Sequence, residues 1–330
     1  MSGTLVTGAS RVLDSVLDRT VGPGFTAMGY AVRRRLPTWP TDPRAGVLAG
    51  RHVAVTGASS GLGRRTALDL AGLGATVHLV VRSAARGKRV AAEVDASVRR
   101  TGAGRVWVCD VSDLESVRSF SAAFLAEGLP LGALVHNAGS LPDVRTESAD
   151  GHELTMALHV LGPVLMTELL LPSLSADAGR VVFVTSGGMY TQPLPVDDPE
   201  FRRGDYGGAV AYARSKRGQV ELLPVLTARW AASGVSVHAT HPGWARTPGL
   251  DTSLPRFAAL LRPVLRSDAA GCDTTTWVVA SEPGPAAGHL WHDRRQRPTS
   301  VLHRTPPSED DRTRFWHWVA DAVGLTAPVG

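Results

Sequence analysis

Seven short apolar runs recur along the chain with helical patterns between them, and this alternation constrains the fold more than any other feature. The runs are HVAV at 52–55, ATVHLVV at 75–81, RVWVC at 105–109, ALVH at 133–136, RVVFVT at 180–185, VSVHA at 235–239 and GHLWH at 288–292. Apolar positions at helical spacing fill the intervals near 61–73, 84–100, 113–127, 150–171, 209–232 and 267–280. A last helix is predicted from Ser308, an N-cap followed by three acids, to Gly324. Right-handed crossovers between successive strands give one parallel sheet with helices on both faces. The expected class is α/β, a doubly wound parallel sheet in three layers, α/β/α, within one large domain. There are no internal repeats.

The pentapeptide VTGAS occurs twice, at 6–10 and 55–59, and only the second copy runs on into a glycine-rich turn, TGASSGLG. Such a turn holds a dinucleotide when a strand feeds it and a helix leaves it. The glycines let the backbone approach the pyrophosphate, and the helix N-terminus faces its charge. HVAV supplies the strand, and RRTALDLAGLG reads as the helix, with Ala67, Leu70, Ala71 and Leu73 on one face. The first copy has only MSGTL before it and is a chance repeat. The second makes the sheet Rossmann-type.

A net charge of +5 raises the question of a polyanionic partner, but the basic residues are scattered and only Arg33–Arg35 form a tight run. Almost all are Arg. Lys88 and Lys216 are the two lysines, Asn137 is the sole Asn, and Ile is missing. That bias fits a GC-rich coding sequence, so no nucleic-acid partner is expected. With 43% hydrophobic content, the chain reads as an ordinary soluble globular protein. No apolar run near membrane-spanning length is seen, nor a signal-peptide core. Cys109 and Cys272 make no disulfide framework, which fits the cytoplasm, and no Cys/His cluster has metal-ligand spacing.

Residues 1–50 read as an N-terminal extension, and 51–330 as the domain. Residues 10–21 suit a short amphipathic helix with Val12, Leu13, Val16 and Leu17 on one side. The Gly/Pro-rich stretch that follows reads as a linker or surface arm. Its apolar content is small, so residues 1–35 are expected to be dispensable for folding. Docking of residues 10–35 on a membrane, with Arg33–Arg35 at the headgroups, would make the protein peripheral there.

The second chemical feature is YARSK at 212–216. Positions i and i+4 share a helix face, so the Tyr212 phenol and the Lys216 ammonium can converge. A nearby cation favours phenolate, which would fit Tyr212 for acid/base work near neutral pH. With four Tyr and two Lys in the chain, a chance match is rare.

With these motifs in order, the chain resembles the short-chain dehydrogenase/reductase family from about Arg51 to the C-terminus. The order is TGASSGLG, CDVSD, HNAG, RVVFVTS, YARSK and HPGWART. The stretches TSGGM, YARSKRGQV and HPGWARTPG sit nearest its retinol-dehydrogenase-like members. The resemblance implies a hydride exchange between a nicotinamide cofactor and a carbonyl or alcohol. Tyr212 would be the general acid/base, Lys216 would hold the nicotinamide ribose and lower the Tyr212 pKa, and Ser186 would hold the substrate oxygen. The cofactor-binding positions it implies are Thr56, Gly57, Ser59, Ser60, Gly61, Leu62 and Gly63 in the turn, then Asp110 and Val111, then Asn137, Ala138 and Gly139. Pro242, Gly243 and Thr247 complete them. A homo-oligomer is compatible with this reading.

One position departs from the family pattern. Where members usually place an Asn that supports a water in a proton relay, LHVLG has His159. Either His159 holds a water or relays a proton, or it is a packed helix residue. The alternative function it leaves open is a sensor or scaffold that binds NADP(H) with weakened turnover. At the end of the second strand, Val81 stands where NAD-specific members carry an acid, and Arg82 follows. Arg64 is a second candidate for a 2′-phosphate, so NADP(H) is favoured over NAD(H). Met189, Tyr190 and Leu194, with Leu254, Phe257, Leu260 and Leu261, form either an apolar lid that favours a lipophilic substrate or ordinary core.

Overall fold

The computed structural model describes residues 10, 13–18, 21–246, 261–300 and 306–326. All seven expected strands form. They are β1 (His52–Thr56), β2 (Thr76–Val81), β3 (Gly104–Val108), β4 (Ala133–His136), β5 (Arg180–Val184), β6 (Ser236–Thr240) and β7 (His289–His292). They run parallel in the order β3-β2-β1-β4-β5-β6-β7. The order reverses between β1 and β4, and the crevice beyond their carboxyl ends is where an open α/β sheet takes its ligand. An eighth strand, β8 (Arg295–Arg297), pairs antiparallel with β7. Its RQR sequence has no apolar signature. The turn feeding it puts Asp293 and Arg294 at φ +50° and +56°, the left-handed pair that a two-residue hairpin requires.

Three N-terminal pieces precede the sheet: helical residues 13–18, α1 (Val21–Phe25) and α2 (Ala27–Arg34). The crossover helices are α3 (Gly61–Gly72), α4 (Ala84–Val98), α5 (Leu114–Ala126), α6 (Leu154–Ser175), α7 (Gly208–Glu221), α8 (Leu223–Trp230) and α9 (Asp268–Ala280), and α10 (Glu309–Val323) follows β8. Their apolar faces make two cores, one on each side of the sheet. Ser308 caps α10 in a reciprocal capping box with Asp311, and Gly324 ends it at φ +71°. Continuous helix makes α6 long and apolar enough to cross a membrane, contrary to the sequence expectation. It is a core helix, with 78% of its most apolar stretch buried inside the protein.

The expectation of a linker or surface arm before residue 50 is corrected. The Phe25 ring lies 4.4 Å from the His241 ring and is 3% exposed. Arg33 is buried too, bonded to Asp14 at 2.8 Å, Asp293 at 2.8 Å and the Gly24 carbonyl at 2.9 Å. A guanidinium committed to two carboxylates cannot meet lipid headgroups; only Arg34 and Arg35 of that run are exposed. Apart from Ser10, the first VTGAS copy lies outside the described residues.

Candidate active site

The glycine turn and the turn after β4 are locked together. Thr56 Oγ1 accepts from the backbone N–H groups of Asn137 and Ala138, each at 3.0 Å, and Asn137 Nδ2 donates to the Thr56 carbonyl at 3.0 Å. Gly57 sits at φ +67°, and a Cβ there would lie 2.8 Å from Ala138 Cα. A Cβ on Gly63 would overlap Asn137 Nδ2. Both glycines are therefore required by the approach of two backbones. Ser60 opens α3 without a side-chain cap, so the first amides of the helix are left for a ligand, while Ser59, Gly61 and Leu62 remain partly exposed. On the far side, α9 brings Gly271 against both Leu62 and Ala245, joining the glycine turn to the Pro242–Gly243 turn. This cradle fits a dinucleotide.

At the end of β2, Val81 is buried and Arg82 projects outward, 74% exposed and 4.0 Å from Asp110. Asp110 Oδ1 accepts from Ser112 N at 3.0 Å and Ser112 Oγ at 2.7 Å, which fixes the turn carrying buried Val111. Arg64 is engaged by both carboxylate oxygens of Glu93. Of the two arginines, Arg82 is the more exposed and Arg64 is the one held by a bidentate carboxylate. Thr247, Leu254, Phe257 and Leu260 lie outside the described residues. Met189, Tyr190 and Leu194 are buried core side chains rather than a lid, and the Tyr190 hydroxyl donates to the Pro298 carbonyl at 3.0 Å.

Ser186, Tyr212 and Lys216 come together at the ends of β5 and α7. Burial pushes the Tyr212 pKa up, and the nearby Ser186 hydroxyl offsets this only in part, so the net direction is up. The i, i+4 spacing of Tyr212 and Lys216 predicts the opposite net shift. That cation is turned elsewhere: Lys216 Nζ donates to the Val184 carbonyl at 2.8 Å and lies 5.6 Å from the Tyr212 ring centre. Burial without a carboxylate partner pushes the Lys216 pKa down to about 7.

His159 joins three pieces of the site. It lies in a π turn, 157–161, inside α6. Pro163 has no N–H to give the His159 carbonyl, and Gln219 Nε2 donates to it instead at 2.8 Å. The ring nitrogens are both committed. Ser140 N–H donates to Nε2 at 3.2 Å, so Nε2 is an acceptor. Ser215 Oγ gives its proton to the Tyr212 carbonyl at 2.8 Å, so it accepts from His159 Nδ1–H at 2.7 Å. The ring is thus the neutral Nδ1–H tautomer, standing edge-on to Tyr212 at 5.3 Å between ring centres. Burial, then the Lys216 charge, holds its pKa well below the usual imidazole range. Titration near neutrality is not expected of it. Ser215 and Gln219 were missed in the sequence, though both lie within YARSKRGQV.

Residues 51–255 match the family model for short chain dehydrogenase. The chain belongs to the short-chain dehydrogenase family. Among its relatives, Dehydrogenase/reductase SDR family member 12 of Bos taurus is 38% identical over 273 residues, covering 80% of this chain and 84% of that one. Retinol dehydrogenase 12 of Homo sapiens is 30% identical over 287 residues, covering 84% and 88%. Among solved structures, a short chain dehydrogenase from Escherichia coli CFT073 complexed with NADPH superposes with a TM-score of 0.63 at 25% identity, covering 77% of this chain and 100% of that one. The chain is accordingly an NAD(P)-dependent oxidoreductase acting on small-molecule alcohols or carbonyls.

Proposed function

We propose that this short-chain dehydrogenase uses NADP(H) to interconvert a lipophilic carbonyl compound and its alcohol, with Tyr212 as general acid/base. The observation that carries the reading is the convergence of Ser186, just past the carboxyl end of β5, with Tyr212 and buried Lys216 of α7, the Lys216 ammonium 5.6 Å from the Tyr212 ring centre. When bound, the nicotinamide supplies or accepts hydride. Thr56, Gly57, Ser59, Ser60, Gly61, Leu62, Gly63, Asn137, Ala138, Gly139, Pro242 and Gly243 would hold the dinucleotide, with Asp110 and Val111 at its adenine end.

Tyr212 gives a proton from Oη to the carbonyl oxygen during reduction and takes it back during oxidation. Ser186 Oγ holds the same oxygen and keeps the phenol aimed at it. Lys216, held by the Val184 carbonyl and 5.6 Å from the Tyr212 ring centre, would hold the nicotinamide ribose and place its charge near the phenol. His159, neutral and edge-on, fixes the Tyr212 ring and acts as a positioning residue. Arg82 favours NADP(H), because its exposed guanidinium suits a 2′-phosphate and no acid stands at Val81. The lipophilic assignment draws on the likeness to a relative named for retinol, an apolar alcohol.

The test is reduction of a panel of lipophilic aldehydes and ketones with NADPH and with NADH. NADPH should support the faster turnover. Tyr212→Phe should lower kcat by about two orders of magnitude or more while leaving NADPH affinity intact. Parent-like turnover in Tyr212→Phe would remove the phenol from the mechanism, and preference for NADH would remove the role of Arg82.

A further inference from the structure

We propose that the N-terminal segment, through Gly24–Ala27 and Arg33, is the positioning device for the Pro242–Gly243–Trp244 turn that faces the dinucleotide. The inference rests on the functional reading only in taking that turn as a cofactor contact. The backbone of the segment is joined to the turn and to the stretch that pairs with it: Trp244 N–H donates to the Phe25 carbonyl at 2.8 Å, and Ala27 N–H donates to the carbonyl of Val264, two residues before Arg266, at 2.9 Å. Arg266, paired with the turn through its own N–H to the Trp244 carbonyl at 2.8 Å, is the hub. Its guanidinium packs so closely on Gly243, itself at φ +71°, that a Cβ there would overlap it. The same guanidinium donates to the Phe25 carbonyl at 2.9 Å, the Thr26 carbonyl at 3.2 Å and the Gly24 carbonyl at 2.9 Å. The Gly24 and Phe25 carbonyls close α1 and suit a cation, while the Thr26 carbonyl opens α2 and also takes the Tyr30 N–H.

The segment is held down in turn by buried charge. Asp293 takes Arg266 on Oδ1 at 2.6 Å and Arg33 on Oδ2 at 2.8 Å, and Arg33 reaches on to Asp14 and the Gly24 carbonyl. Phe25 fills the space over Gly187, the residue after Ser186, where a Cβ would lie 3.1 Å from its ring. An arm that merely covered core would not bond both the turn and the stretch that pairs with it. Arg33 does not touch the turn, so loosening it reports transmission through the arm.

The experiment uses the full chain with Arg33→Gln, which removes the charge spanning Asp14 and Asp293. Hydrogen–deuterium exchange of the 241–246 peptide and NADPH fluorescence titration are read side by side, with melting temperature as the fold control. Exchange at the Trp244 amide should rise about tenfold, and the NADPH Kd should rise about tenfold with it. Arg33→Lys, with charge but no fork to span its partners, should fall between parent and Arg33→Gln. Parent values of either quantity in folded Arg33→Gln would overturn the proposal. If Arg33→Gln does not fold, Phe25→Leu is read the same way, since it keeps an apolar filler and loses the ring over Gly187. A parent that takes up no NADPH overturns the cofactor reading instead, and Trp244 exchange alone then decides whether the arm positions the turn.

Discussion

Two junctions at the carboxyl edge of the sheet hold the site, and they are built from opposite materials. At the β1–β4 junction, Thr56 and Asn137 exchange uncharged hydrogen bonds with backbone one strand away. At the β6–β7 junction, Arg33, Arg266 and Asp293 bury full charges drawn from three distant segments. An uncharged latch loses modestly when one partner goes. A buried ionic hub loses more, because the remaining charges keep their desolvation without compensation. The first is a local device that any neighbouring strands could make. The second is cooperative, and its failure reaches every segment that contributes a charge.

The largest expected effect comes from breaking each junction in turn. Asp293→Asn keeps the shape of the side chain but leaves Arg33 and Arg266 facing a neutral group, which should cost about 3–5 kcal/mol of unfolding free energy. Thr56→Val leaves the Ala138 N–H without its acceptor and the Asn137 N–H with the Val135 carbonyl alone, and should cost about 1–3 kcal/mol. Chemical denaturation of both variants at neutral pH checks the order. An Asp293→Asn variant no less stable than Thr56→Val would dissolve the contrast. The acid side has a definite sign: burial alone would raise the Asp293 carboxyl, but His292, Arg266 and Arg33 together outweigh it and hold the carboxyl well below the usual range. Its contribution is therefore present above the ordinary carboxylate pKa and lost as pH falls toward the folded value.

The same contrast explains what could be read in the sequence. TGASSGLG and HNAG carry the first junction in short contiguous motifs, because Thr56, Gly57, Gly63 and Asn137 meet by way of adjacent parallel strands. Tyr212 and Lys216 were legible because one helix turn separates them. The seven parallel strands were legible as apolar runs, whereas β8 was hidden by RQR. No local pattern distinguishes Arg33, Arg266 or Arg297 from surface arginines in so Arg-rich a chain. Their partners Asp14 and Asp293 lie up to hundreds of residues away. The net direction of the Tyr212 shift was missed for a related reason. A spacing of four residues puts Lys216 near the phenol but does not say that the Val184 carbonyl will take its ammonium.

Lys216 sharpens the comparison, because it is a buried cation with a carbonyl partner and no carboxylate. Between about 7 and the ordinary 10.5, the unfolded chain holds a proton on this group that the folded chain lacks, so stability rises with pH across that window. Below it, both states are charged and the full burial cost remains. Lys216→Met, which removes the charge, should therefore stabilise the protein by about 2 kcal/mol near pH 6, and the gain should shrink as pH approaches 10. Thermal unfolding without added cofactor at those two pH values measures it. A gain that does not depend on pH would mean that Lys216 stays charged in the folded protein, as Arg266 does beside Asp293.

The smallest effect belongs to His159, and it separates a positioning residue from a proton relay. Its two nitrogens are satisfied by Ser140 and Ser215, which places it with the uncharged latch rather than with the ionic hub. His159→Asn keeps a polar group but cannot reach both partners, so about 1 kcal/mol of stability should be lost at neutral pH. That deficit should narrow on acidification. The unfolded parent takes up a proton near the ordinary imidazole pKa while its folded form, held far lower, does not, and the variant has no such penalty. Turnover should fall through looser placement of Tyr212, with the pH–rate profile keeping its shape, since no inflection near neutrality arises from a ring that stays neutral there. An inflection lost specifically in His159→Asn, with the melting temperature unchanged, would make His159 a titrating relay. It would also mean that the Ser140 and Ser215 contacts open during turnover.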